Sequence, residues 1–387
     1  MMEEVGVQTG SVFESLASSG DKVKKFQRFV LPGLAVVAVM VLFHALSDGT
    51  FLTSRNLSNL SRQICTNLTL ATGMTLVIIT AGIDLSVGSV LALCGMVAAI
   101  TQVQFGFSAM GATGAFLSAG IALLVGGLSG AFTGFAVSRL KITPFIVTLG
   151  MMVICRGLTL IISGAQAVSP IGDSFGALSS EYLPVGYSGL LFAVVALGAV
   201  FVHWRTPVER RLIQNTLLIC MLCVAGTAVF CGYRGIPYIV FLALSCAGLA
   251  MLVLKYTRYG RFVYAIGGNT EAAELSGVPV ARTLWITYFV MGLLAALAGV
   301  MDVSRVNGAV PTAGELAELD AIAAVVIGGT SLMGGVGKLS GTLFGVLIMG
   351  VLNNGMSLIG VSEHYQKVFK GVVIILAVYL DMRSKRK

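Results

Sequence analysis

The chain has 387 residues, of which 56% are hydrophobic and only 11% charged, and its mean hydropathy is +0.93. A soluble domain carries about 25% charged residues, so these totals exclude a water-soluble fold and predict an all-α, polytopic membrane bundle. The net charge of +8 does not indicate a nucleic-acid surface, because Lys and Arg gather in short loops and at the two ends, where they report membrane topology.

Residues 1–28 form a polar arm ending in Lys22, Lys24, Lys25 and Arg28, directly before a first span at 29–47. That charge places the N-terminus in the cytoplasm. A polar connector at 48–62 should be external, although it carries Arg55 and Arg62. Two spans, 64–81 and 85–103, are joined almost without a loop by TAGIDLSVGS. Gly82 and Gly88 allow the backbone to break there. Asp84 has two readings: with Ser86 it caps the second helix, or it is a carboxylate at membrane depth that serves the transport pathway.

A span at 109–137 ends at Arg139 and Lys141, and Pro144 suits the first turn of the next, 144–163. Arg156 inside it must snorkel or find a partner on another helix. The loop 164–188 carries Asp173 and Glu181 and no Lys or Arg, which marks it as external. Spans at 189–202, 212–230 and 236–254 follow, with Arg205, Arg210 and Arg211 marking a cytoplasmic turn.

The loop 255–283 contains YAIGGNTEAAELSGVPVAR, flanked by Arg258, Arg261 and Arg282. Asn269 and Thr270 precede Glu271, Ala272, Ala273, Glu274 and Leu275, which is an N-cap followed by helix formers with acids in the first turn. Gly277 and Pro279 end the short helix. Such a helix on the cytoplasmic surface is either a docking foot or an ordinary turn between spans.

After a span at 284–301, the acidic loop 302–320 reads as external, with Glu315, Glu318 and Asp320. The apolar run 321–333 is too short to cross, since a span needs about 20 residues. Gly334, Gly335 and Gly337 interrupt it before 339–359, the pattern of half-helices that line a pathway or flex. Asn353 and Asn354 are polar groups in that late helix, serving either the pathway or helix packing. The segment 365–380 completes about 10–12 membrane segments, in one transmembrane domain spanning 29–381. The basic tail 382–387 keeps the C-terminus inside. The helix–break–helix plans of 64–103 and 321–359 suggest a parallel repeat.

Several chemistries are missing. Gly337-Lys338 resembles the end of a phosphate-binding loop, but Leu332 and Leu339 replace the required Gly and Ser/Thr. The histidines, His44, His203 and His364, are not paired, and Cys220 and Cys223 form a CxxC without a second pair, inside an apolar helix. No cofactor is expected in this chain. Deep carboxylates of the kind that ion-coupled carriers use are nearly absent. The energy for transport should therefore come from a separate protein; an ion-coupled or facilitative carrier acting alone is the competing reading, and a non-transporting scaffold does not need glycine-broken helices.

EAAELSG at 271–277 fits the pattern by which permeases of ABC importers contact their ATPase. IDLSVGS at 83–89, TPFIVTLG at 143–150, AIGGNTEAAELSG at 265–277, ELDAIAAVVIGGTSLMGGVG at 318–337 and KGVVIILAVYLD at 370–381 extend the likeness over nearly the whole chain. Together they resemble the ribose/galactose/xylose family of sugar permeases. The extra hydrophobic length around 189–254 looks like the xylose-type subgroup. The resemblance implies a bacterial inner-membrane protein working as two permease copies. A sugar-import ATPase that binds ATP and Mg docks on the cytoplasmic side, and a periplasmic sugar-binding protein docks outside. It also assigns the coupling surface to Gly267, Gly268, Asn269, Glu271, Ala272, Ala273 and Gly277.

Overall fold

The computed structural model describes Gly33 and residues 36–205 and 210–385. The N-terminal arm, most of the turn with Arg210 and Arg211, and the last two residues of the basic tail lie outside the described residues. Among the described residues, fifteen α-helices follow in chain order. They are α1 (Val36–Leu46), α2 (Ser54–Ile79), α3 (Val87–Val103), α4 (Gly111–Ser138), α5 (Pro144–Ser163), α6 (Asp173–Ser180), α7 (Val185–Arg205), α8 (Arg210–Cys231), α9 (Tyr238–Tyr256), α10 (Arg258–Gly268), α11 (Thr270–Leu275), α12 (Val280–Val306), α13 (Ala317–Ile327), α14 (Leu339–Leu358) and α15 (Glu363–Lys385). Among the described residues, six helices are long and apolar enough to cross a membrane: α4 with its 3-10 lead-in, α5, α7, α9, α12 and α14. The fold is the polytopic helical bundle that the composition predicts.

α12 is the axis. It is clasped by α2, α3 and α4 through small residues, which let backbones approach where no hydrophobic gradient drives helices together. A Cβ on Gly292 would strike the carbonyl of Gly126, and one on Gly299 would strike that of Leu91. α14 runs antiparallel to α2, with Thr75 and Thr342 sharing a hydrogen bond of 2.8 Å near one end. Ile64 packs on Gly350 further along.

Three sequence expectations change. The polar connector 48–62 is mostly helix: α2 starts at Ser54, with Thr53 Oγ1 accepting from Asn56 N at 3.3 Å. The external loop 164–188 contains α6, strand β1 (Tyr182–Leu183) and the start of α7; β1 pairs antiparallel with β2 (Ile236–Pro237). The acidic loop 302–320 shrinks to residues 307–316, because α12 runs on to Val306 and α13 begins at Ala317.

That last segment does not stay at the surface. Residues 307–316 fold back into the bundle, and Gly314 meets the backbone of Gly88 at the start of α3. The non-helical joint 80–86 likewise climbs away from the end of α2, so that Val87 and Val90 stand beside Gly292 and Ala295. Ala295 lies fifteen residues into α12, about 22 Å along it. Both α3 and α13 therefore begin partway through the bundle. Arg156 holds the second of these returns: its Nη1 donates to the carbonyls of Pro311 and Ala313, the latter at 2.9 Å. The guanidinium has found a partner across helices instead of snorkelling.

Candidate functional site

α10 and α11 form a foot between α9 and α12. α10 opens on Thr257, whose Oγ1 accepts from Gly260 N at 3.2 Å, and it buries Gly260, Val263, Ile266 and Gly267 on one stripe. Val263 packs with Leu76, Ile79, Leu254 and Leu339, so the ends of α2, α9 and α14 all rest on this helix. Tyr264 Oη donates to Gly337 O at 2.9 Å and Tyr259 Oη pairs with Thr287 Oγ1 at 2.8 Å.

Asn269 then caps α11, its Oδ1 accepting from Ala272 N at 2.9 Å. At the far end Gly277 N donates to Glu274 O and Val278 N to Ala273 O, both at 3.0 Å, with Gly277 at φ +80°. That paired closure satisfies the last carbonyls and requires the left-handed residue that glycine supplies. Only Ala273 of α11 is buried; Glu271, Ala272 and Glu274 are exposed, and Leu275 is 85% exposed. A helix of six residues has too few internal hydrogen bonds to persist alone, so its cap matters. Asn269→Ala should destabilise it by about 1 kcal/mol, seen as faster amide exchange across residues 270–276 with exchange in α12 unchanged.

The foot and the glycine break, far apart in the chain, are one assembly. Gly335 N donates to Ile79 O at 2.9 Å, and Gly267 lies against both atoms with no room for a Cβ. Gly334 and Gly335 have φ of +83° and +71°, and their backbones touch Ala81, Gly267 and Gly268. Gly337 packs on Thr330 and Ile79. The joints 80–86 and 328–338 thus sit side by side on the C-terminal end of α10.

Asp84 belongs to the first of these joints and is 4% exposed. One carboxylate oxygen accepts from Ser86 N at 2.9 Å and Ser86 Oγ at 2.6 Å, closing a turn ahead of α3. It has no ion pair among the described residues, and it lines a small cavity with Ser129, Thr133, Met291 and Ala295. Asn353 and Asn354 are not part of this assembly. Asn354 sits at the other end of α14, where its Nδ2 donates to Gln63 Oε1 at 3.1 Å and its Oδ1 accepts from Asn56 Nδ2 at 2.9 Å. Those bonds tie α14 to α2, and Asn353 is half-buried beside them.

Sequence reasoning named Glu315, Glu318 and Asp320 as loop acids and missed their partners. Asp320 is buried and bridged to Lys370 of α15 at 2.7 Å, and Glu315 meets Lys367 at 3.2 Å. Glu318 reaches over Gly88 at the start of α3. The available signal was the pairing of acids in one first turn with Lys367 and Lys370 three apart on a later helix.

Residues 56–378 match a family model described as the permease component of the branched-chain amino acid transport system. The chain is 38% identical over 380 residues to the xylose transport system permease protein XylH of Escherichia coli, covering 95% of each chain. It is 40% identical over 354 residues to the ribose import permease protein RbsC of Escherichia coli, covering 91% of this chain and 94% of that one. A Haemophilus influenzae xylose permease is 37% identical over 367 residues. No solved structure was found to match. With a family model over most of its length and two such relatives aligned nearly end to end, the chain belongs to the ribose/xylose family of ABC transport permeases.

Proposed function

We propose that this chain is the membrane subunit of an ATP-driven importer of a monosaccharide, xylose in the first instance. It receives sugar from a periplasmic binding protein and works as a pair of identical copies in the bacterial inner membrane. Both termini, and the foot, face the cytoplasm. A separate ATPase docks on α11, with Gly267, Gly268, Asn269, Glu271, Ala272, Ala273 and Gly277 forming the coupling surface. The observation that carries the reading is the seating of an exposed, doubly capped helix on the meeting point of two chain breaks. A push on α11 reaches α2, α3, α13 and α14 through backbone contacts at Gly267 and Gly335, with no flexible side chain to absorb it. Asp84, Gly334, Gly335 and Gly337 stand at the helix breaks through which that push passes; Asn353 and Asn354 serve packing.

Xylose is favoured over ribose by the hydrophobic length that α7–α9 add. Competition among pentoses for uptake by the reconstituted complex decides between them.

Charge reversal tests the coupling. Glu271→Arg should insert normally yet lower sugar uptake at least about tenfold, equivalent to about 1.4 kcal/mol, with ATP hydrolysis no longer stimulated by sugar-loaded binding protein. Full uptake by that variant would remove the docking role from α11. Uptake by vesicles holding an ion gradient and no ATPase would instead select a carrier acting alone.

A further inference from the structure

We infer that the loop 328–338 is a second docking element for the same ATPase, presenting Met333 and Val336 beside α11. The inference rests on the coupling role proposed for the foot and adds a surface that the foot does not contain.

The loop is built to hold a shape. Ser331 N donates to Val336 O at 2.8 Å, Gly334 N to Ser331 O at 3.0 Å, and Met333 N to Ser331 Oγ at 3.2 Å. Its two ends are anchored: Thr330 and Ser331 are buried on one side, Gly337 and Leu339 on the other. Against that frame Met333 and Val336 point outward, 79% and 64% exposed. Large apolar side chains that face lipid belong on the spans. These two stand between α13 and α14, in a loop that also carries exposed Lys338 and whose Gly335 packs on Gly268, two residues before α11. A hydrogen-bonded loop that holds two large apolar groups outward, away from the spans, leaves an exposed apolar patch of the kind that marks a protein contact.

The occupant follows from continuity. Gly335, between the two residues, packs its backbone on Gly268 of the foot, and Tyr264 bonds Gly337. A protein seated on α11, whose Leu275 is also exposed, meets Met333 and Val336 as the next surface. The consequence is mechanical: the ATPase then holds α13 and α14 directly, as well as through Gly267. Opening of the joint between foot and loop is prevented, and both move as one body.

The test uses the full-length permease co-expressed with the ATPase subunit and purified together. Met333→Asp with Val336→Asp should reduce recovered ATPase at least about tenfold, or about 1.4 kcal/mol, with permease yield and Tm unchanged. A second arm places photo-crosslinking benzoylphenylalanine at Met333 and, separately, at Leu275, and illuminates native membranes. Crosslinks from both positions to the ATPase support the inference. A crosslink from position 275 alone, or from position 333 to lipid, overturns it while leaving the function intact. Failure of the wild-type permease to bring any ATPase overturns both. If the double aspartate variant is poorly folded, the crosslinking arm decides.

Discussion

Gly267→Ala is expected to abolish transport, a far larger loss than Gly268→Ala beside it, which adds the same methyl to the coupling surface without an internal clash. A single added methyl at position 267 falls inside the envelope of Ile79 O and Gly335 N, both main-chain atoms already bonded to one another. Neither can turn aside as a side chain would. Overpacking of this kind costs about 1–3 kcal/mol even where neighbours can shift, and here relief requires that the foot lift from the joint. At Gly268 nothing lies within reach of a Cβ. The measurement is uptake of labelled pentose normalised to permease in the membrane. Equal uptake by the two variants would show that α10 is not held where the structure has it. Because Gly267 sits outside the central packing of α12, the variant should still insert and retain the core Tm, losing coupling first.

Arg156→Met is expected to lower stability by about 2–6 kcal/mol, taking about 1–3 kcal/mol for each of the two carbonyls it leaves unpaired in a water-poor setting. Methionine keeps the apolar stem and removes the donors. Pro311 and Ala313 then have no partner in the return segment, and the Gly88–Gly314 contact loses its brace. Thermal unfolding in detergent reads the loss, and exchange across residues 307–316 localises it. Arg156→Lys should recover only part, since an ammonium on a flexible stem is not the preorganised fork that spans two carbonyls. An unchanged Tm for the methionine variant would mean that the return segment holds itself in place.

How far the sequence announced this arrangement depends on the kind of signal. α5 starts and ends where its hydrophobic run and Pro144 put it, and α14 begins at Leu339 as the glycine cluster dictates. The foot was legible to its individual cap, because Asn269 and Gly277 act on backbone groups within a few residues of themselves. Long-range polar pairing was not legible. The first turns of α2 look like a loop because Asn56 and Gln63 are polar, yet they are polar in order to meet Asn354. Glu315 and Asp320 look like surface acids because Lys367 and Lys370 lie about fifty residues further along the chain. The site was legible in its parts and not as a unit: nothing in the spacing of 267, 268, 334, 335 and 337 says that these glycines touch.

The bond from Gly335 to Ile79 also bears on how the protein is made. The carbonyl at the end of α2 emerges early in synthesis, and the amide that satisfies it is among the last parts of the chain to be translated. The same holds for Arg156 and its two carbonyl partners. Until the ribosome has nearly finished, the early helices must wait in the bilayer with open ends, vulnerable to quality-control proteolysis. Truncations that remove only α13 to α15 should therefore shorten the lifetime of helices that precede them by hundreds of residues.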